Sequence, residues 1–332
     1  MDPEQITYFG ETDSRGKRVR FGIKAKDRTR HVYVIGKTGM GKSTMLANTA
    51  IDDIRSGRGV GVVDPHGELV ELILNYIPKK RINDVVYFNP ADYEYPMALN
   101  MLESIDDSHK NLVASGMIAI FYKLYADSWW PRLEHILRNT ILALLDVEGS
   151  TLLGIPRMYT DKQYRDSIVA RIMNPTVKMF WENEFPQLIT SRSSADAFGA
   201  VQNKVGQFLT TPLVRNIVGQ PKSTVDFREI MDSSKIVLVN LSKGLIGEDV
   251  SSLLGSLIIT KIQLAAMSRS NVTEQERVPF QLYVDEFQNF ATSSFSTILS
   301  EARKYKLGLT MANQYIAQMP EDVRDAVFGN VG

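Results

Sequence analysis

A glycine-rich segment at residues 32–44 constrains the fold of this chain more than any other feature. Residues 32–35 are β-branched or aromatic and predict a buried strand, and the pattern Gly-x-x-x-x-Gly-Lys-Ser follows directly at residues 36–43. The residues after the pattern favour a helix. A strand, a loop of this composition and a helix, in that order, form a phosphate-binding loop whose backbone N–H groups surround a polyphosphate. The segment therefore predicts a nucleotide-binding α/β fold.

Each residue type in the loop has a chemical reason. Gly36, Gly39 and Gly41 permit the backbone angles and the close approach that a polyphosphate needs. Lys42 is expected beside the β- and γ-phosphates, and Ser43 is expected to hold Mg²⁺ through its hydroxyl. The alternative is a glycine-rich turn that binds nothing, which the flanking strand and helix disfavour. We expect nucleotide contacts from the whole loop, which consists of Gly36, Lys37, Thr38, Gly39, Met40, Gly41, Lys42, Ser43 and Thr44.

Composition excludes several classes of protein. The chain has 38 basic and 38 acidic residues, so its formal charge gives no general argument for a nucleic-acid partner. A local basic groove is still compatible with this balance. It has no cysteine, which excludes disulfides and thiolate zinc sites. The N-terminus does not resemble a signal peptide, and the longest apolar stretch, residues 253–267, is too short and polar to span a bilayer. We expect a cytoplasmic chain without a membrane span. A longer or complexed form could attach to the cytoplasmic face of the inner membrane.

Short apolar strands alternate with helices along the first part of the chain. Two strands at 6–10 and 17–23 predict an N-terminal hairpin. The strand at 59–64 ends in Asp64, which could contact the water shell of Mg²⁺, and a further strand follows at 84–88. This alternation predicts an α/β fold with a doubly wound, mostly parallel sheet.

The middle of the chain has a different pattern. β-Branched runs disappear between residues 98 and 232, while helical periodicity and helix-ending prolines take over. We interpret this region as an all-α domain inserted into the α/β domain. The predicted organisation is therefore a first nucleotide-binding part at 1–97, the insertion at 98–232 and a second nucleotide-binding part at 233–332.

Two features leave a nucleic-acid contact open. Lys24, Lys26, Arg28 and Arg30 form a basic run before the phosphate loop, but a solvated loop is the favoured interpretation. The tryptophans of the helical region, at 129, 130 and 181, could stack on bases. Core filling is favoured for them, because nothing places them on a basic surface.

A second chemical motif follows a later strand. Residues 280–284 predict a buried strand, and Asp285 and Glu286 come directly after it. Asp285 is expected to hold Mg²⁺, mostly through water, and Glu286 is expected to orient or deprotonate the attacking water. Gln314 ends another strand, at the same carboxyl edge, and could touch the γ-phosphate and report hydrolysis. An apolar strand ending in Asp-Glu is a weak signal alone and a strong one beside a phosphate loop.

Five segments of the chain occur in a characteristic order: Gly36–Thr44, Asp64-Pro-His-Gly-Glu68, Val284-Asp-Glu-Phe-Gln-Asn-Phe290, Ser300-Glu-Ala-Arg-Lys-Tyr305 and Ala312-Asn-Gln314. Together they resemble the coupling-protein ATPases of conjugation and type IV secretion, within the FtsK/HerA class of pumping ATPases. The resemblance covers residues 32–332. It implies a RecA-like P-loop NTPase fold with an inserted all-α domain, with ATP and Mg²⁺ as cofactors.

The resemblance also implies an assembly. Members of this family form rings, typically hexamers, which move DNA through the central channel. Arg303 matches the arginine that the family offers across the subunit interface to the neighbouring nucleotide, where it would neutralise charge on the γ-phosphate. The alternative for Arg303 is a charge at a helix C-terminus that the helix dipole favours. Such a domain usually closes with one more strand or helix, so we expect the natural protein to continue past Gly332.

Three functions remain open at the level of sequence. The leading hypothesis is a Mg²⁺-dependent ATPase that translocates DNA or a DNA–protein substrate, with a relaxase or type IV secretion channel components as further partners. The second is a related DNA-pumping ATPase used in DNA processing, segregation or packaging. The third is a nucleotide-gated recruitment or assembly factor that turns over little ATP.

Overall fold

The chain divides into two compact units. The computed structural model describes residues 4–103, 107–126, 129–190 and 192–331. One unit runs to Asn89 and resumes at Asp226, and the other is Pro90–Val225. The second unit begins and ends a few residues before the predicted insertion at 98–232. The difference at its end arises because a helix at Phe227–Asp232 packs against the sheet of the first unit.

The strands of the described chain all belong to the first unit. An antiparallel hairpin is formed by β1 (Ile6–Ser14) and β2 (Lys17–Lys24), as the sequence predicts. The remaining strands are β3 (Val32–Ile35), β4 (Gly59–Asp64), β5 (Val85–Phe88), β6 (Ile236–Asn240), β7 (Phe280–Val284) and β8 (Leu307–Asn313). They form one sheet in the order β3-β8-β7-β4-β6-β5, and every adjacent pair is parallel. All six carboxyl ends therefore lie at one edge of the sheet.

Helices make up the rest of the ordered elements. In chain order they are α1 (Lys42–Arg55), α2 (Glu68–Leu74), α3 (Asp107–Tyr125), α4 (Pro131–Leu145), α5 (Gly154–Thr160), α6 (Lys162–Val169), α7 (Pro175–Met179), α8 (Phe185–Thr190), α9 (Arg192–Thr210), α10 (Pro212–Val218), α11 (Phe227–Asp232), α12 (Lys243–Ile246), α13 (Glu248–Met267), α14 (Phe295–Glu301) and α15 (Glu321–Asn330). The second unit contains α3 to α10, and the first contains the others. Helix α14 ends at Glu301, where the chain tightens into a 3-10 turn at Ala302–Tyr305.

The sheet is buried on both faces, as expected for a parallel sheet covered by helices. The core on one face joins apolar side chains of α1, α2 and the central strands, among them Leu46, Ile54, Val62 and Ile73. Helix α13 is apolar on most sides and buried. With its C-terminal turn it is long and apolar enough to cross a membrane, but 72% of the apolar window is buried inside the protein. A core helix meets the same criterion, so this is weak evidence for a span.

The basic run before β3 does not form a wholly solvated loop. It is a 3-10 helix, Ala25–Arg30, in which Arg28 is only 4% exposed. Arg28 donates two hydrogen bonds of 2.8 Å to the carboxylate of Asp53 on α1 and a third to the Tyr283 hydroxyl on β7. The solvated interpretation is therefore wrong for Arg28. The other three cations of the run are exposed.

The tryptophans, like the basic run, include both buried and exposed side chains. Trp181 is 3% exposed and packs with its ring centroid 4.7 Å from that of Phe185, which confirms core filling. Trp130 is 43% exposed, so the same interpretation is wrong for that residue.

Candidate nucleotide-binding site

The phosphate loop leaves the carboxyl edge of the sheet between β3 and α1. β3 pairs with β8 so that Ile35 lies opposite Asn313, and the N–H of Gly36 donates to the Asn313 carbonyl at 3.2 Å. Gly39 and Gly41 have φ angles of +80° and +86°, and a Cβ built on either would meet no atom within 4 Å. These glycines are therefore needed for the backbone conformation, and they leave open space beside the loop, as a cradle for a ligand requires.

Helix α1 begins at Lys42, inside the loop, so its unpaired N–H groups and the positive end of its dipole lie at the same place. The Lys42 side chain is 8% exposed, and its Nζ lies 3.9 Å from Oε1 of Glu286. A mostly buried ammonium group beside a helix N-terminus is an arrangement that attracts a polyphosphate.

The loop and the Asp-Glu pair are in direct contact. The Ser43 hydroxyl donates a hydrogen bond of 2.7 Å to Oδ2 of Asp285. The backbone N–H of Asp285 donates to the Val63 carbonyl, which holds the end of β7 against β4. Burial raises the pKa of Asp285, and the nearby charges of Asp64 and Glu286 raise it further, while the Ser43 hydrogen bond opposes them. A buried carboxylate of this kind is stabilised by a cation.

Glu286 follows in a strained backbone conformation. Its φ is +44°, in the left-handed region that non-glycine residues enter at a cost of about 1–2 kcal/mol. Its carboxylate accepts hydrogen bonds from two side-chain amides, at 2.6 Å from Gln288 and 3.3 Å from Gln314. The structure thus places Gln314 at the edge that the sequence predicted. Gln288, in the 3-10 turn Phe287–Asn289, was not among the site residues predicted from the sequence.

Asp64 has a different set of contacts from those the sequence suggested. Its Oδ2 accepts from the N–H groups of Leu69 and Val70 at 2.8 and 3.2 Å, and its Oδ1 accepts from the N–H of His66 at 2.8 Å. The two bonds to Oδ2 satisfy free N–H groups at the start of α2. Asp64 therefore caps a helix, and its contact with the water shell of Mg²⁺ stays a prediction.

Arg303 lies away from the phosphate loop of its own chain. It belongs to the 3-10 turn before β8 and is exposed, and its side chain makes no hydrogen bond or ion pair in the part of the chain that the structure describes. Its charge acts on His31, at the amino end of β3, where burial first and Arg303 second lower the histidine pKa to about 4. The loop lies at the other end of β3. The structure therefore does not bring Arg303 together with Lys42, Asp285 or Glu286.

The residues present fit a magnesium ion. Mg²⁺ is usually held by one or two protein oxygens, with phosphate oxygens and waters completing its coordination. Ser43 and Asp285 supply two hard oxygen atoms that lie 2.7 Å apart. Within the described ranges no group of three or more His, Cys, Asp or Glu side chains could hold a metal, which disfavours an all-protein cage.

Comparison with known proteins agrees with this geometry. The sequence matches the family described as the central domain of the helicase HerA over residues 8–262. The chain belongs to this family. It is also 24% identical over 367 aligned positions to the type 4 coupling protein DotL of Legionella pneumophila. That alignment covers 93% of this chain and 46% of DotL, so the chain spans less than half of its relative.

Solved structures show the same fold. The unbound coupling protein TrwBΔN70 matches with a TM-score of 0.64 and 15% identity, over 100% of this chain and 71% of TrwB. TrwB with the ATP analogue ADPNP matches with a TM-score of 0.63 and 16% identity, over 100% and 73% of the two chains. VirB4 of Thermoanaerobacter pseudethanolicus matches with a TM-score of 0.61 and 14% identity, over 98% and 81%. The predicted P-loop NTPase fold and the resemblance to coupling-protein ATPases are confirmed.

Proposed function

We propose that this chain is a Mg²⁺-dependent ATPase motor of the coupling-protein type, which hydrolyses ATP and moves DNA or a DNA–protein substrate. The observation that carries the proposal is the 2.7 Å hydrogen bond between Ser43 and Asp285. It joins the two halves of a nucleotide site that are far apart in sequence. The printed names of relatives support the type of motor: DotL is a type 4 coupling protein, and TrwB is a plasmid coupling protein that binds ADP with Mg²⁺.

The phosphate loop binds the nucleotide in this proposal. The backbone N–H groups of residues 36–44 donate to phosphate oxygens, and the Lys42 ammonium lies along the β- and γ-phosphates. Ser43 and Asp285 would hold Mg²⁺, which would neutralise phosphate charge when bound.

Glu286 acts on the water. Its carboxylate orients the water molecule and accepts a proton as the water oxygen bonds to the γ-phosphorus and the bond to the β,γ-bridging oxygen breaks. ADP and inorganic phosphate are the products. Gln314 contacts both Glu286 and the region of the γ-phosphate, so loss of that phosphate would alter its hydrogen bonds and report hydrolysis to β8.

Oligomerisation completes the site. Arg303 is exposed and lies near the amino end of β3, so its guanidinium is available to a neighbouring subunit. An arginine from a neighbour would stabilise the charge that develops on the γ-phosphate during transfer. We propose a ring, a hexamer by resemblance to the family, with DNA in its channel. A relaxase or type IV secretion channel components would deliver or accept the substrate, and the chain would work in the cytoplasm or at the inner membrane.

ATP hydrolysis by the purified chain, measured without DNA and with single- or double-stranded DNA, tests this function. We expect strong stimulation by DNA and loss of turnover in Lys42→Ala. Lys304→Ala, which removes an exposed lysine paired with Glu301, is the matched control and keeps its activity. Slow turnover that is indifferent to DNA, together with tight binding of a partner protein, would contradict the motor and favour a nucleotide-gated assembly factor.

A further inference from the structure

A cavity of about 280 Å³ lies at the amino-terminal edge of the parallel sheet, on the opposite edge from the phosphate loop. Three of its lining residues directly precede strands: Arg58 before β4, Pro279 before β7 and Lys306 before β8. The 3-10 helix after β2 closes another side with Lys26 and Arg28. The cavity is therefore a feature of the sheet edge rather than of the nucleotide site.

The lining of this cavity is basic. Four of its residues are Lys or Arg, and none of the described lining residues is Asp or Glu. Lys26 is exposed and Lys306 is half-buried, and they form surface ion pairs with Glu4 and Glu274. Exposed pairs of this kind are weak and exchange with other anions. The two lysines can therefore serve an anion that enters from solvent.

The two arginines are buried and share one carboxylate. Arg28 makes its two 2.8 Å bonds to Asp53, and Arg58 donates from Nη1 to the same carboxylate at 2.6 Å. Asp52 is 3.9 Å from Arg58 without a hydrogen bond and is half-exposed. The Tyr283 hydroxyl donates to Asp53, and burial raises its pKa well above the ordinary value, so it remains neutral. This buried cluster therefore carries one more positive than negative charge.

Arg58 also has an unused donor. The residue is 5% exposed, and its Nη2 is buried without an acceptor in the described chain. Guanidinium groups bind oxyanions through two parallel N–H donors, and a buried charged donor without an acceptor is costly. An oxyanion in the cavity would balance the excess charge, and a small rotation of the Arg58 guanidinium would let Nη2 donate to it.

We propose that this cavity is a second anion site, which binds a phosphate group through Arg58, Arg28 and the two lysines. The volume admits a phosphate or a pyrophosphate, whereas pockets for drug-sized ligands have about 300–1,000 Å³. The phosphate group can belong to a free oxyanion or to the backbone of a nucleic acid. Both sources present a pair of non-bridging phosphate oxygens to the guanidinium.

Calorimetric titration of pyrophosphate into the Lys42→Ala chain, at constant ionic strength, tests the site with the phosphate loop weakened. Two added changes probe the cavity: Arg58→Lys keeps the charge and removes the fork of donors, and Lys306→Gln removes a charge at the mouth. Lys304→Gln changes an exposed lysine two residues away that does not line the cavity, and it is the matched control. Thermal unfolding of each variant checks that it is folded.

We expect Arg58→Lys to raise the Kd for pyrophosphate about tenfold or more and Lys306→Gln to raise it severalfold. The Kd of the Lys304→Gln control should not change. A short single-stranded oligonucleotide that competes with pyrophosphate would assign the site to backbone phosphates, and one that does not compete would assign it to a free oxyanion. Either result supports the site. Binding that is unchanged in both cavity variants, or no binding at all, overturns it. Lys306→Gln decides the outcome if Arg58→Lys fails to fold.

Discussion

Gln288 donates a hydrogen bond of 2.6 Å from Nε2 to Oε2 of Glu286, two residues earlier in the chain. The other carboxylate oxygen accepts from Gln314 at 3.3 Å and lies 3.9 Å from the Lys42 ammonium. Donors from the turn after β7, from the end of β8 and from α1 therefore fix the direction of one carboxylate. We expect this arrangement to decide how well Glu286 can orient water.

Gln288→Ala tests that expectation. Loss of the shorter hydrogen bond frees the carboxylate to rotate, and small misplacements of a catalytic group cost rate rather than affinity. We expect kcat for ATP hydrolysis to fall about tenfold with KM nearly unchanged. Gln220→Ala, in the helical unit, is the control. A wild-type kcat in Gln288→Ala would show that the hydrogen bond has no part in positioning Glu286.

Glu286→Gln separates binding from chemistry. The amide keeps the size of the side chain and cannot accept a proton, so we expect ATP to bind within a few-fold of wild type while hydrolysis falls about 10²–10⁴-fold. Equilibrium binding of a fluorescent ATP analogue and single-turnover hydrolysis measure the two quantities. Hydrolysis at the wild-type rate would remove Glu286 from its proposed role.

Arg303→Ala, mixed into wild type at increasing fractions, tests the contact between subunits. If the guanidinium acts on the neighbouring nucleotide, a minority of mutant subunits depresses the ATPase rate more than in proportion to its fraction. The adjacent Lys304→Ala in the same mixtures is the control. A linear decline of the ATPase rate with the mutant fraction would contradict a contact of Arg303 with the neighbouring subunit's nucleotide.

Asp53→Asn tests the buried charge cluster. The change leaves the guanidinium groups of Arg28 and Arg58 without their shared anion, and breaking a buried pair costs about 3–5 kcal/mol. We expect the midpoint of urea unfolding to fall accordingly. Asp52→Asn, whose side chain is 48% exposed, should change the free energy of unfolding by less than about 0.5 kcal/mol. Equal changes in the free energy of unfolding at the two positions would contradict a stabilising role for the buried charge cluster.

His31 gives the chain a pH-dependent stability. Its Nε2 donates to the Leu299 carbonyl and its Nδ1 accepts from the Leu309 N–H, both at 3.1 Å, so the neutral ring fits its site. The pKa falls from 6.5 to about 4 on folding. The unfolded chain therefore binds the proton first, and stability that is complete above about pH 6.5 falls by about 3 kcal/mol as the pH drops to 4.

Chemical unfolding at several pH values measures this dependence. His31→Gln should flatten the profile between about pH 6.5 and 4, because no imidazole remains to take up the proton. His135→Gln, at a side chain that is 52% exposed, should leave the profile unchanged. A steep profile that persists in His31→Gln would assign the effect to other groups.

The sequence identifies the parts of the site that short motifs specify. The phosphate loop and the Asp-Glu pair are recognisable because each needs particular residues at fixed spacing beside a strand. Their adjacency, and that of Gln314, follows from parallel strands that end at one edge. Gln288 was not recognised because its contact depends on the left-handed turn at Glu286. A local sequence pattern does not predict such backbone angles at a non-glycine residue.

The sequence also does not specify the long-range polar contacts. Arg28 sits in a run of cations and was interpreted with them, although its partners are Asp53 on α1 and Tyr283, 255 residues away on β7. Asp64 was interpreted by its position at a strand end, while its oxygens are taken up by the start of α2. Both cases require the packed structure, because charge and position alone do not show which partner is within reach.

The position of β3 at the edge of the sheet has a consequence for synthesis of the chain on the ribosome. In the described sheet its neighbour is β8, and the contact between Ser43 and Asp285 spans 242 residues of sequence. At about 5–20 residues per second, roughly 10–50 s separate the emergence of the two halves. Throughout that interval β3 lacks β8, its one neighbour in the described sheet, so both of its edges are unpaired and can pair with other chains. Nascent chains interrupted before β8 should therefore depend on chaperones far more than the finished protein does.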